Sequence, residues 1–150
     1  MLEIQIRESR GLDAIAQVRQ VRFTVLREPL GMPFEETLFP GDENPETRHI
    51  LAYRDSQPIG CLTLMPPENS DASPSVQLRG MAVLADMQGQ GIGSQLLDHV
   101  ARLAKENRWK LWCKARQAAV PFYQANGWHI VDDGFDIPII GPHFRMEFEQ

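Results

Sequence analysis

The stretch Gln88-Gly89-Gln90-Gly91-Ile92-Gly93-Ser94 carries the plainest chemistry in the chain. It stands between an apolar run, Leu78 to Leu84, and an amphipathic run, Leu96 to Glu106. That order predicts strand, glycine-rich turn, helix. Such a turn points several free backbone N–H groups outward beside the positive end of a helix dipole. The surface so made holds a phosphate or pyrophosphate without a charged side chain. The stretch therefore fits a phosphorylated cofactor; a turn that merely joins strand to helix is the alternative. A nucleotide P-loop is excluded, because Ser94-Gln95 stands where that loop needs Lys and then Ser or Thr. A dinucleotide fingerprint is excluded as well, since its third glycine would fall on Ser94 or Leu96.

Other side chains offer acid–base chemistry. Glu35, Glu36 and Asp42 lie in a segment rich in Pro and Gly and could attract a cationic amine, or simply be solvated surface charge. His49 and His143 sit beside strand-like runs; His143, between Gly141-Pro142 and Phe144, could face a cleft, and a structural role is the other reading of each. Lys114 and Arg116 form a small basic patch that could approach cofactor phosphates or an acidic acceptor, or be solvated. Cys61 and Cys113 lie in apolar surroundings far apart in sequence and read as buried free thiols, not a disulfide framework. Histidines and cysteines lack metal-ligand spacing, so no metal is expected.

These residues need a scaffold. Residues 2–7 alternate as an edge strand. Ser9 is the expected N-cap of a helix from about Leu12 to Leu26, whose apolar residues cover one broad face. Residues 28–46 read as a long irregular, substrate-facing loop. His49–Tyr53 and Ile59–Met65 read as strands joined by a turn at Asp55–Pro58, and Val76–Val83 as a third strand. The helix after the glycine turn runs from Ile92 to about Asn107, burying Ile92, Leu96, Leu97, Val100, Leu103 and Ala104. Trp109–Cys113 is a strand parallel to its predecessor if that helix is a right-handed crossover. Ala118–Ala125 is a short helix closed by Asn126-Gly127, and Trp128–Val131 and Phe144–Phe148 make a closing strand pair.

With 150 residues the chain fits one domain, 1–150, of α/β class with a mixed sheet. The net charge of -5 argues against nucleic acid and anionic membranes as partners. No apolar run approaches the length of about 18 residues that a membrane helix needs, and the N-terminus lacks the pattern of a signal peptide. A cytoplasmic location is the expectation.

Three segments resemble the GCN5-related N-acetyltransferase (GNAT) superfamily. Gln88–Gly93 matches its Gln/Arg-x-x-Gly-x-Gly/Ala signature directly after a strand. Ala119 to Trp128 is similar to its Ala-x-x-Phe-Tyr-x-x-x-Gly-Phe element, with Trp128 in place of Phe. The tail, Gly134 through Met146, resembles the endings of ElaA-like and related bacterial members. The resemblance implies a single-domain fold with a mixed, mostly antiparallel sheet, splayed at its central parallel strand pair and flanked by helices. It implies acetyl-CoA as co-substrate, held by backbone of Met81, Ala82 and Val83 and by the turn Gln88, Gly89, Gln90, Gly91, Ile92, Gly93 and Ser94. It implies direct transfer of an acetyl group to a primary amine of a small molecule or peptide. Tyr123 takes the place of the family's general acid, the alternative being a tyrosine that simply packs beside Phe122. Many members carry Asn where this chain has Arg116. Glu35, Glu36 and His143 are expected on the acceptor side, a homodimer is plausible, and a catalytically silent acyl-CoA-binding or regulatory domain is the alternative function.

Overall fold

The computed structural model describes residues 3–69 and 71–149. Strand β1 (Gln5–Ser9) leads into helix α1 (Gly11–Arg22), which continues as a π-helical turn over Phe23–Arg27. After two short 3-10 turns come the strands β2 (Arg48–Arg54), β3 (Gln57–Leu64) and β4 (Ser75–Val83). Helix α2 (Ile92–Asn107) then crosses to β5 (Lys110–Arg116), followed by α3 (Val120–Ala125), β6 (Trp128–Ile130), β7 (Phe135–Ile137) and β8 (Gly141–Phe148). The sheet runs β1-β2-β3-β4-β5-β8-β6, with β7 also on β8. Only β4 and β5 pair in parallel among these strands; the other pairs are antiparallel.

Side-chain alternation places two cores on opposite faces of the sheet. Ile50 and Ala52 of β2 pack with Ile92, Leu96 and Val100 of α2, while Leu51 and Tyr53 pack with Val18 and Val21 of α1. The central strands are therefore apolar on both sides, as strands covered by helices on each face must be.

The expected elements differ from the observed ones at the start of α1 and near the C-terminal strands. Ser9 does not cap α1: the edge strand extends through it, in register with His49, so the cap falls on Arg10, which makes no side-chain cap bond. Leu12 consequently lies 80% exposed instead of on the buried face. Of the expected first strand, Leu2 lies outside the described residues. Finally, β8 begins at Gly141 and takes in His143, and the three-residue strand β7 pairs beside it. Gly134 and Pro138 bracket that short strand and hid its pattern.

Two irregularities in the sheet position the site. The first is the gap between β4 and β5. Their pairing covers Ser75–Leu78 against Lys110–Cys113 and then stops. From Arg79 onward β4 has no neighbour on that side, while β5 leans toward β8. The second is a bulge in β4. Cys61 pairs with Ala82 and Thr63 with Arg79, so Leu62 faces both Gly80 and Met81. Gly80 sits there at φ +62°, and a Cβ on it would stand 2.9 Å from Nε of Arg22 and 3.2 Å from the Phe39 ring. The bulge thus requires glycine for its backbone and for the guanidinium beside it.

Candidate active site

The glycine turn leaves backbone amides and open space on one side. Gly89 and Gly91 both adopt left-handed φ, +80° and +79°, which turns successive backbone N–H groups toward one side. The first helical bond of α2 runs from Gln95 N–H to Gly91 O at 3.0 Å, so the amides of residues 92–94 have no partner inside the helix. A Cβ on Gly89 or Gly91 would meet nothing within 4 Å, because the space over the turn is open. Gly93 has a different reason to be glycine: a Cβ there would lie 2.9 Å from Phe122 of α3. The side-chain amide of Gln88 donates to Val83 O at 3.0 Å and ties the turn to the end of β4.

The turn and the splayed strand share one cleft of about 660 Å³. Met81 to Val83, Gln88, Gly89 and Gly91 to Ser94 all line it, together with Phe122 and Tyr123; Gln90 does not. A second cleft of about 420 Å³ opens on the other side of Tyr123. Met81, Arg116, Ala119 and Tyr123 line both clefts, so Tyr123 stands at their junction.

Tyr123 is 5% exposed and packs edge-on against Phe122 and Trp128, with ring centroids 5.3 Å and 5.4 Å away. Its hydroxyl is close enough to the Cys113 thiol for the two groups to influence each other's protons. Burial, reinforced by that thiol, raises the phenol well above the usual tyrosine range, and burial pushes Cys113 up to about 12. Both groups therefore stay protonated. Cys61 and Cys113 are buried free thiols, as their apolar surroundings suggested.

The acceptor-side residues are placed less simply. His143 is buried and lines the smaller cleft. Its Nδ1 lies 2.8 Å from Gly141 O, and its ring stacks on Phe135. A carbonyl can only accept, so Nδ1 carries a proton, and in the neutral ring the lone pair lies on Nε2. Glu35 and Glu36 do not join this group. They lie on the 3-10 turn Phe34–Thr37, whose buried member is Thr37; both are exposed, and neither lines either cleft.

Asp42 is likewise no cleft carboxylate. It is 2% exposed, and Arg22 grips both its oxygens, at 2.7 Å and 3.0 Å. Arg22 also donates to Thr37 O at 2.8 Å and Thr63 Oγ1 at 2.8 Å, and its guanidinium stacks 3.9 Å over Phe39. The Phe39 amide donates to Asp42 Oδ2 at 2.7 Å. This buried network pins the irregular segment to α1 and to the β4 bulge. Phe39 and Pro40 become a wall of the smaller cleft. An arginine at the end of an apolar helix face with an aspartate in the next loop is the sequence signal that could have found it.

Four cations line the smaller cleft: Arg27, Arg79, Lys114 and Arg116. The Leu26 carbonyl, freed at the end of the π turn, accepts from Arg27 Nη1 at 3.3 Å and Arg116 Nη2 at 3.1 Å. Arg79 donates to Pro40 O at 2.9 Å. Sequence reading singled out Lys114 and Arg116 but missed Arg27 and Arg79, which no motif marks.

No described helix is long and apolar enough to cross a membrane. A sequence model of the acetyltransferase (GNAT) domain matches residues 45–130, more than half the chain. An uncharacterized N-acetyltransferase of Bacillus subtilis (strain 168), YitI, is 29% identical over 137 residues, covering 89% of this chain and 90% of the relative. Escherichia coli ElaA superposes with a TM-score of 0.80 at 20% identity, over 99% of this chain and 100% of that one. A GNAT family acetyltransferase from Elizabethkingia anophelis, solved with acetyl-CoA bound, superposes with a TM-score of 0.65 at 20% identity, over 98% of each chain. The match to the domain model, on a sheet splayed beside a glycine turn, makes the chain a member of the GNAT acetyltransferase family.

Proposed function

We propose that the protein transfers an acetyl group from acetyl-CoA directly to a primary amine. The observation that carries this reading is the pair of clefts meeting at Tyr123: one presents free amides and open glycines, the other a basic side chain. When bound, acetyl-CoA supplies the activated acyl group and leaves as its thiolate.

The free amides of residues 92–94 and the left-handed glycines hold the pyrophosphate. The backbone of Met81 to Val83, which is paired with β3 on one side and has no strand on its β5 side, pairs there with the amide-bearing arm and offers an N–H to the developing oxyanion. One carbonyl of that stretch, Val83 O, is already occupied by Gln88. His143 Nε2 takes the proton that the attacking amine releases, since its lone pair is free and no carboxylate lines the smaller cleft among the described residues. The Tyr123 hydroxyl donates to the departing sulfur. Its raised pKa means that the phenol still holds its proton when the sulfur departs. The packed rings of Phe122 and Trp128 fix its direction.

The test pairs binding with turnover. Acetyl-CoA at about a hundred times its dissociation constant should stabilise the fold by roughly 2.7 kcal/mol and raise the unfolding midpoint by degrees. Tyr123→Phe should keep that rise and lose about a hundredfold in kcat, the scale of a general acid. Absence of any rise sinks the acetyl-CoA reading. Unchanged turnover in Tyr123→Phe removes the proton-donor role.

A further inference from the structure

The acidic segment around Glu35 and Glu36 suggested a cationic acceptor, yet the cleft itself has the opposite charge. Its lining holds Arg27, Arg79, Lys114 and Arg116, and among the described residues no Asp or Glu. We propose that this cleft selects an amine that also carries an oxyanion, a carboxylate or a phosphate, with Arg79, Arg116 and Lys114 binding that group. This rests on the acetyl-transfer reading given above.

Three observations carry it. First, these charges are not there for the cofactor phosphates. Arg27, Arg79 and Lys114 line the smaller cleft and not the one that contains the glycine turn; Arg116 alone of the four borders both. Second, they lack counter-ions. The ion pairs among the described residues are Arg22–Asp42, Arg48–Glu8 and Arg145–Glu147, none of which involves this set. Asp42 and Glu68 act on Arg79 and Glu36 on Arg27 only through space, and Asp42 is already gripped by Arg22. Third, their donors are largely unspent. A guanidinium has five N–H donors in a planar fork suited to carboxylate and phosphate. Arg79 commits one bond, to Pro40 O, and Arg116 one, to Leu26 O.

Partial burial already weakens the hold of Arg27, Arg79 and Arg116 on their protons, and Arg27 adds like-charge repulsion on Arg116. Half-buried, unpaired cations facing one cavity are costly, and an incoming anion relieves the cost. The same cations disfavour a diamine or an exposed lysine as acceptor, because they repel a second positive charge. A cleft of about 420 Å³ is the right size for a small molecule. His143, paired across the strands with Arg116, stands beside the cations to receive the amine's proton.

The experiment measures CoA release with matched acceptors. One arm sets the twenty amino acids against their carboxamides. A second sets phosphoethanolamine against ethanolamine. Putrescine is the cationic control. Acetyl-CoA stabilisation is recorded on the same preparation. The expected result is kcat/KM at least tenfold higher for the anionic member of one arm, which also tells carboxylate from phosphate. Arg79→Gln and the exposed Lys114→Gln should each raise the acceptor KM about tenfold and leave the acetyl-CoA KM within twofold.

If the carboxamides, ethanolamine or putrescine serve equally well or better, the inference is overturned while the acetyl-transfer reading stands. If neither variant moves the acceptor KM, it is overturned too. If no amine is acetylated, calorimetry with the CoA-loaded protein decides: failure of every anionic acceptor to bind overturns it. If acetyl-CoA itself gives no stabilisation, the underlying reading falls first.

Discussion

In the proposed reading, the groups that serve the cofactor half are backbone amides from one contiguous turn, Gln88–Ser94, and the adjoining end of β4. On the acceptor half they are side chains drawn from Arg27, Arg79, Lys114, Arg116 and His143, which come from four separated parts of the chain. Backbone recognition depends on conformation, so it tolerates any side chain that leaves the turn intact and the space over it open. Side-chain recognition depends on each residue being held in place, and here the Phe39–Pro40 wall, to which Arg79 bonds, is held from behind by Arg22 and Asp42. The two halves should therefore fail in different ways.

The largest effect should come from the buried network. Asp42→Asn removes the charge that neutralises Arg22 and leaves a fully buried cation unpaired. Breaking a buried ion pair from one side costs about 3–5 kcal/mol. Chemical denaturation should show a loss of that order. Below its new midpoint the variant should still be stabilised by acetyl-CoA, because the glycine turn touches none of this network. Its acceptor KM should rise as the Phe39–Pro40 wall loosens. Equal weakening toward both substrates would show that the halves are one mechanical unit, and the distinction would go.

The opposite failure is obtained at the turn. Gly91→Asp puts a carboxylate where the pyrophosphate belongs. Aspartate tolerates left-handed φ better than most residues, and its Cβ would meet nothing within 4 Å, so the fold should survive. Two like charges about 4 Å apart repel by roughly 4 kcal/mol at an effective dielectric near 20. The acetyl-CoA KM should therefore rise at least about a hundredfold, with the melting temperature of the free protein little changed. Retained acetyl-CoA affinity would place the phosphates elsewhere.

The same contrast explains what the sequence revealed. The cofactor half is written in local spacing: a strand, glycines at alternate positions, then an amphipathic helix with Ile92, Leu96, Leu97, Val100 and Ala104 buried. Every one of those features acts within a few residues of itself. The splay was legible only through the family resemblance, since nothing in Gln77-Leu78-Arg79-Gly80 by itself says that a strand parts from its neighbour there. The acceptor half was legible only in part: His143, Lys114 and Arg116 line its cleft, whereas Glu35, Glu36 and Asp42 do not. Its charges become neighbours only when the π turn after α1, β4, β5 and β8 are assembled. Asp42 looked like a loop carboxylate because its partner lies twenty residues earlier in the chain. Glu35 and Glu36 were chosen for their segment, and the 3-10 turn that buries Thr37 directs them to solvent.

The smallest effect sharpens the comparison through pH. His49 is 1% exposed on β2, with Nδ1 2.9 Å from Thr63 Oγ1 and Nε2 3.1 Å from Asp42 O. The bonds close only one way. Arg22 donates to Thr63 Oγ1, Thr63 donates to Nδ1, and Nε2–H donates to the carbonyl. A second proton on the ring would displace the threonine donor and add charge beside Arg22. Burial chiefly, and Arg22 further, lower the His49 pKa below 6.5, against the raising influence of Asp42. The unfolded chain therefore binds more protons than the folded one below about pH 6.5, and stability falls there as pH drops. Above that pH the contribution is complete. The melting temperature should be level from pH 8 to about 7 and decline between about 6.5 and 5. His49→Gln should lower the plateau but flatten that decline, and the slope, not the level, is the readout. The stabilisation given by saturating acetyl-CoA should be the same in His49→Gln and in the unaltered protein at each pH, since the amides proposed to hold the ligand do not titrate and lie apart from His49. An acid slope identical in His49→Gln would assign the decline to other groups and free the acceptor half from any proton-linked anchor at its base.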